Sequence, residues 1–147
     1  MNKLRTAVVS LALALAAAPA CATVTLRGGV SMYCTTPGAL VNMEPALYNA
    51  YTSAGQGATP ELVHLLNVAG CAIITTGPER VLPQGAILEV RPFHLKTGVV
   101  TLVHVLFGQP LTHQEDNYSA EGEYLGKKRV TATDGWMLRR DIKGEVQ

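Results

Sequence analysis

An excess of charge of either sign is missing from this 147-residue chain. Lys and Arg number 12 and Asp and Glu 11, a formal +1. That balance removes the electrostatic footprint of a nucleic-acid binder and of a protein drawn to an anionic membrane. Charged residues make up only 16% of the chain and aromatics 5%, whereas 48% is hydrophobic. An apolar share of that size supports a packed core and excludes disorder. The length leaves room for one domain, since two would need roughly 100–200 residues each. Long apolar runs are missing too: after residues 1–22, no segment reaches the ~20 residues needed to cross a bilayer. Internal repeats and low-complexity tracts are also absent from the sequence.

Signatures of chemistry are equally scarce. There is no Gly-x-Ser-x-Gly, and nothing around Ser31, Ser53 or Ser119 marks a nucleophile. Gly55-x-Gly57 precedes a helical pattern but follows no strand, so it is neither a phosphate loop nor a dinucleotide fingerprint. His64, His94, His104 and His113 show no His-x-His or His-x₃₋₄-His spacing, so no metal or cofactor site is expected. His104 lies in an apolar strand and reads as a hydrogen-bonded core or edge histidine. His64 reads as exposed. His113-Gln114-Glu115-Asp116 gathers an imidazole and two carboxylates. It could hold a divalent ion weakly, but the solvation of a polar loop explains it better. Glu115, Asp116, Glu121 and Glu123 share that loop, and a glycosidase pair needs a rigid frame instead.

The first 22 residues have the layout of a secretory signal. Lys3 and Arg5 precede an Ala/Leu/Val run from Ala7 to Ala18, and small residues follow at Ala18, Ala20 and Ala22. Cleavage before Thr23 would release a chain of residues 23–147 into the periplasm or the medium. The alternative is a lipoprotein anchored through Cys21, which stands where a lipobox would place its cysteine. Cleavage also removes Lys3 and Arg5, so 10 basic residues then face 11 acidic ones, a formal −1.

Of the three cysteines, Cys34 and Cys71 then remain. In an oxidising compartment the simplest outcome is one disulfide between them. Neither has a Cys-x-x-Cys partner or an adjacent cation that would mark a reactive thiol.

Periodicity divides the rest into a helical part, 35–70, and a strand-rich part, 71–142. Thr36-Pro37 starts a helix, and Pro45 is expected to break or restart it near Glu44, so that Pro45 to Ala54 is a second short helix or a continuation. Thr59-Pro60-Glu61 and Gly70 bracket the clearest helix, whose stripe is Leu62, Leu65, Leu66 and Ala69. Beyond Cys71 the period becomes two. Leu88 and Val90 alternate with Glu89 and Arg91, and Val99 to Phe107 is apolar on both faces. The second face should be covered by the Leu62/Leu65/Leu66 stripe. Gln109 to Glu121 reads as an exposed loop, and Asp134-Gly135 as a hairpin turn.

Val81-Leu82-Pro83-Gln84-Gly85, the following Ile87-Leu88-Glu89-Val90, and the endings Asp134-Gly135-Trp136-Met137-Leu138 and Asp141-Ile142 carry a family likeness. On these motifs, residues 71–142 resemble the bacterial SH3-like family of small exported domains. The resemblance implies a five- to six-stranded barrel that binds peptides, glycans or partner proteins and performs no chemistry. The expected fold is therefore α+β, with one to three short N-terminal helices packed on a small SH3-like antiparallel β-barrel.

A binding surface is suggested by Lys127-Lys128-Arg129 and Arg139-Arg140, with Tyr118, Tyr124 and Trp136 close by in sequence. The competing reading makes the basic triplet a solvated turn and Trp136 a core residue. The sequence thus points to a non-catalytic exported binding or accessory module of the bacterial cell envelope. Its partner would be a peptide, a glycan or a protein. The alternatives are a small envelope inhibitor or immunity-type protein, and a small hydrolase using the loop from His113 to Asp116.

Overall fold

A computed structural model describes residues 23–52 and 57–146; residues 1–22, where a secretory signal and Cys21 were expected to act, lie outside the described residues. The chain runs β1 (Val24–Leu26), β2 (Gly29–Cys34), α1 (Pro37–Thr52), α2 (Pro60–Val68), β3 (Cys71–Thr76), β4 (Arg80–Leu82) and β5 (Ala86–Leu95). It continues through β6 (Gly98–Tyr118), β7 (Tyr124–Leu138), a 3₁₀ turn (Arg139–Asp141) and β8 (Ile142–Lys143).

Both helices begin where hydroxyl-proline pairs place them. Thr36 Oγ1 accepts from the Ala39 N–H at 3.2 Å, and Thr59 Oγ1 accepts from the Leu62 N–H at 3.2 Å. Pro45 does not break α1: of the two expected outcomes, the continuation is the one observed. An interior proline costs roughly 3 kcal/mol, but Leu40 and Leu47 on either side of it are both buried. Each buried leucine contributes about 1.5–3 kcal/mol, which offsets that cost. α2 buries Leu66 and half-buries Leu62, while Leu65 is 60% exposed. The apolar stripe is narrower than its spacing suggested.

The described strands form two antiparallel sheets, β4-β1-β8 and β3-β2-β7-β6-β5, and no closed barrel. The SH3-like barrel is thus corrected to a mixed α+β fold. The larger sheet ends at β3 and β5, and inside it β2 meets β7 only at Cys34–Trp136. The small sheet covers one face of the large one. Val24, Leu26, Leu82 and Ile142 pack there with Tyr33, Ile87, Val103, Val105, Phe107 and Met137. The helices cover the other face, where Leu40, Leu47 and Leu66 meet Met32, Leu102, Trp136 and Leu138. β6 is therefore buried on both sides at Leu102 and Val103, although Leu106 and Val99 are exposed.

Two turn expectations are overturned together. Residues 109–118 belong to β6, paired with β7 as far as Tyr118–Tyr124. The connection is the turn at Ser119–Glu123, where the Ser119 N–H donates to the Glu123 carbonyl at 2.8 Å. Asp134-Gly135 lies inside β7, opposite Leu106 and Val105. Gly135 is small for packing and not for turning: a Cβ there would stand 3.1 Å from Tyr33 and 3.3 Å from Phe107. The ribbon bends at Gly108, which has φ +72°. Between Leu106 and Leu111, five steps along β6 answer only two on β7.

Cys34 and Cys71 form a disulfide across paired strands. Beside it the Thr35 N–H donates to the Gly70 carbonyl at 2.9 Å, so the end of α2 is tied to the start of α1.

Candidate binding cleft

The seam between β2 and β7 opens under α1. Past Cys34–Trp136 the strands part, and they are tied again where the Arg27 N–H donates to the Asp141 carbonyl at 2.9 Å. The gap is a cleft of about 480 Å³, including its open mouth. Three consecutive β2 residues, Val30, Ser31 and Met32, line it. Side chains on one face of a strand alternate, so three in a row mean that β2 presents its edge.

The facing wall is one stripe of α1: Leu40, Glu44, Leu47, Tyr48 and Tyr51 recur at helical spacing. Leu40 and Leu47 make an apolar floor, while Tyr48 is 56% exposed and Tyr51 39%. Leu138, Arg140 and Asp141 close the third side. Ser31 is the one buried polar residue among the described residues, 6% exposed.

The rim carries two carboxylates and one close cation. Arg140 is ion-paired with Glu44, and its Nε lies 4.0 Å from Asp141 Oδ1. Burial pushes the Asp141 carboxyl above its ordinary 3.8. The Arg140 guanidinium opposes the shift, the Glu44 charge adds to it, and Arg27 opposes it weakly. No histidine or cysteine lines the cleft. The arrangement offers a ligand an apolar floor, two carboxylates and one guanidinium.

The histidine candidates lie elsewhere. His113 and Glu115 are on strand β6, not on a loop, and both face inward, whereas Asp116 points outward to an ion pair with Lys127. Tyr33 Oη lies 2.8 Å from His113 Nδ1, and His113 Nε2 lies 2.7 Å from Glu115 Oε1. The tautomer protonated at Nε2 satisfies both contacts, with the Tyr33 hydroxyl donating to Nδ1. Both ring nitrogens are then occupied, leaving none to take a substrate's proton. Burial first, and the Glu115 charge second, push the Tyr33 hydroxyl up to about 12, so it stays protonated. This array latches the ribbon to β2. His104 Nε2 lies 2.6 Å from Asp134 Oδ2, and its ring stacks on Trp136 at 4.9 Å. Arg91 lies over the same indole at 4.8 Å. His64 packs edge-on against Tyr118 at the ribbon tip. Among the described residues no group of three or more His, Cys, Asp or Glu is placed to hold a metal ion.

The suspected basic and aromatic surface is dispersed. Tyr124, Lys127, Lys128 and Arg129 sit at the outer end of the β6–β7 ribbon. There Lys127 pairs with Asp116, and Lys128 lies 3.8 Å from Glu115. Trp136 is 7% exposed and belongs to the core. Arg139 donates to the carbonyls of Ile142 and Gly144 at 2.8 Å each. Only Arg140 reaches the cleft. Sequence reasoning missed Glu44, Tyr48, Tyr51 and Asp141. The repeat of Glu44, Tyr48 and Tyr51 along one helical face was the available signal. No helix among the described residues is long and apolar enough to cross a membrane. Comparison with protein-family models, with curated proteins and with solved structures produced no match.

Proposed function

We propose that the protein is a non-catalytic binding module, exported to the bacterial cell envelope, whose polypeptide ligand seats in the α1 cleft. The supporting observation is the open β2 edge facing two exposed tyrosines across an apolar floor. Strand edges supply main-chain hydrogen bonds, and adjacent pockets supply side-chain selectivity. Export is favoured by the signal layout of residues 1–22 and by the Cys34–Cys71 disulfide, which persists in oxidising compartments. A hydrolase reading is weakened because both nitrogens of His113 are engaged by Tyr33 and Glu115.

The test is a titration of the isotope-labelled protein, residues 23–147, with peptide and glycan panels, followed through backbone amide shifts. The expected shifts are confined to α1, Val30–Met32 and Leu138–Asp141, and Tyr51→Ala removes them. Shifts centred on Tyr33 and His113 accompanied by substrate turnover would overturn the proposal.

A further inference from the structure

We infer that the cleft accepts a lysine or arginine side chain from an extended polypeptide partner, and that this cation displaces Arg140 from Glu44. The inference rests on the reading of the cleft as the binding site and adds the chemistry of what enters it.

Two carboxylates from different elements converge there, Glu44 from α1 and Asp141 from the 3₁₀ turn. Their side chains are each about three-quarters buried, and a single guanidinium serves both. Arg27 acts on Asp141 only as the weakest influence on it. Arg140 is itself 63% exposed, and so exposed an ion pair contributes little to stability. The site is thus occupied by a loosely held internal cation that leaves the pair of acids short of one charge. A ligand cation entering between them displaces a pair that contributes little, and the exposed Arg140 returns to water.

Two further features agree with a cation borne on a polypeptide. Tyr48 and Tyr51 present exposed rings at the mouth, where an ammonium or guanidinium is stabilised by the ring quadrupole. The edge of β2 along Val30–Met32 gives an extended main chain somewhere to pair. The enclosed part of the cleft, about 110 Å³, is room for one side chain and not for a whole small ligand.

The probes are three short peptides, Nα-acetylated and C-terminally amidated, alternating Thr with Lys, Gln or Glu and labelled with fluorescein. Fluorescence anisotropy with the protein (residues 23–147) at low and high salt should show the Lys peptide binding best. The Glu peptide should be weaker by about tenfold or more. Glu44→Gln with Asp141→Asn should lower Lys-peptide affinity by about tenfold. Arg140→Ala should raise it, because the internal competitor is gone. Circular dichroism melts verify that each variant is folded.

Equal affinity for all three peptides, or loss of Lys-peptide binding in Arg140→Ala, overturns the inference. A glucosamine oligomer that binds in place of the Lys peptide overturns the polypeptide assignment. If the Gln or Glu peptide shifts the cleft amides and Tyr48→Ala weakens it, the cleft stands as a binding site and the cation reading falls. If no peptide or oligomer moves the α1 or β2 amides, both fall together.

Discussion

Replacing Tyr33 with phenylalanine removes one oxygen from the fold and leaves the ring, with its edge contact to Phe107 at 5.3 Å, in place. The lost group is the hydroxyl that lies 2.8 Å from His113 Nδ1. A net hydrogen bond contributes about 1 kcal/mol, and leaving its half-buried partner unmatched adds to the loss. The expected cost at neutral pH is therefore about 1–2 kcal/mol. Alkaline titration turns this into a sharper test. In the folded protein the Tyr33 hydroxyl ionises at about 12, against an ordinary value of 10.0. The folded state thus keeps its proton where the unfolded chain has lost it. Stability from this residue is complete below about pH 10 and declines above it. The same relation gives a loss of about 1.4 kcal/mol at pH 11 and about 2.3 kcal/mol at pH 12. The Tyr33→Phe variant has no proton to lose at this position, so the stability gap between the two proteins should close near about pH 11 and then reverse. Every other group is common to the two proteins and cancels in the difference. Urea unfolding followed by Trp136 fluorescence across this range measures it. A gap that stays constant with pH would refute the buried, latched hydroxyl.

Other perturbations probe the remaining supports. Changing Cys34 and Cys71 to Ser opens a loop of sequence separation 37, and chain entropy puts the cost at about 4 kcal/mol; an unaltered melting temperature would contradict it. Leu66→Ala should cost about 2–5 kcal/mol, whereas Leu65→Ala should stay within about 0.5 kcal/mol of wild type. Chemical denaturation of the two variants separates a buried position from an exposed one on adjacent residues. Asp141→Asn tests the cleft carboxyl, which is faced by Arg140, Glu44 and Arg27. Its folded value is raised, so the folded state holds that proton longer and its stability falls as pH rises through the carboxylate range. The Asn variant should therefore gain on wild type above about pH 4, with the difference vanishing in stronger acid. A gain that grows on acidification would contradict the burial of Asp141.

Signals satisfied within their own turn were legible in the sequence, and those that tertiary packing can override were not. α2 was legible because Thr59, Pro60 and Gly70 act within their own turns. The buried strand was legible because Leu102 and Val103 carry their apolar character in neighbouring positions. Pro45 left a break and a continuation both open because the compensating burial of Leu40 and Leu47 belongs to tertiary packing. Asp134-Gly135 misled because glycine can answer a need for space as well as a need for a turn, and here Tyr33 and Phe107 take the space. Residues 109–118 read as a loop because an exposed two-stranded ribbon is polar on most positions and loses the alternation that marks a strand. The barrel depended on how strands far apart in the chain pair, as β2 and β7 do about a hundred residues apart, and no local pattern bears on that. The cleft has the same origin: Glu44 and Arg140 are 96 positions apart.

The open seam has a structural cause in two adjacent arginines. Had β2 and β7 zipped beyond Cys34–Trp136, the β2 edge would be consumed by Leu138 and its successors, and no cleft would exist. The disulfide and Trp136 fix the point at which the strands meet. Arg139 fixes where they part, because its guanidinium binds the carbonyls of Ile142 and Gly144 and folds the chain into a 3₁₀ turn. That turn carries β8 away to pair with β1. It leaves Arg140 and Asp141 at the mouth of the gap opposite Glu44. In sequence the Arg139-Arg140 pair looks like one basic patch. In the fold the first arginine is spent on backbone carbonyls and holds the seam open, and the second stands in it as a removable cation.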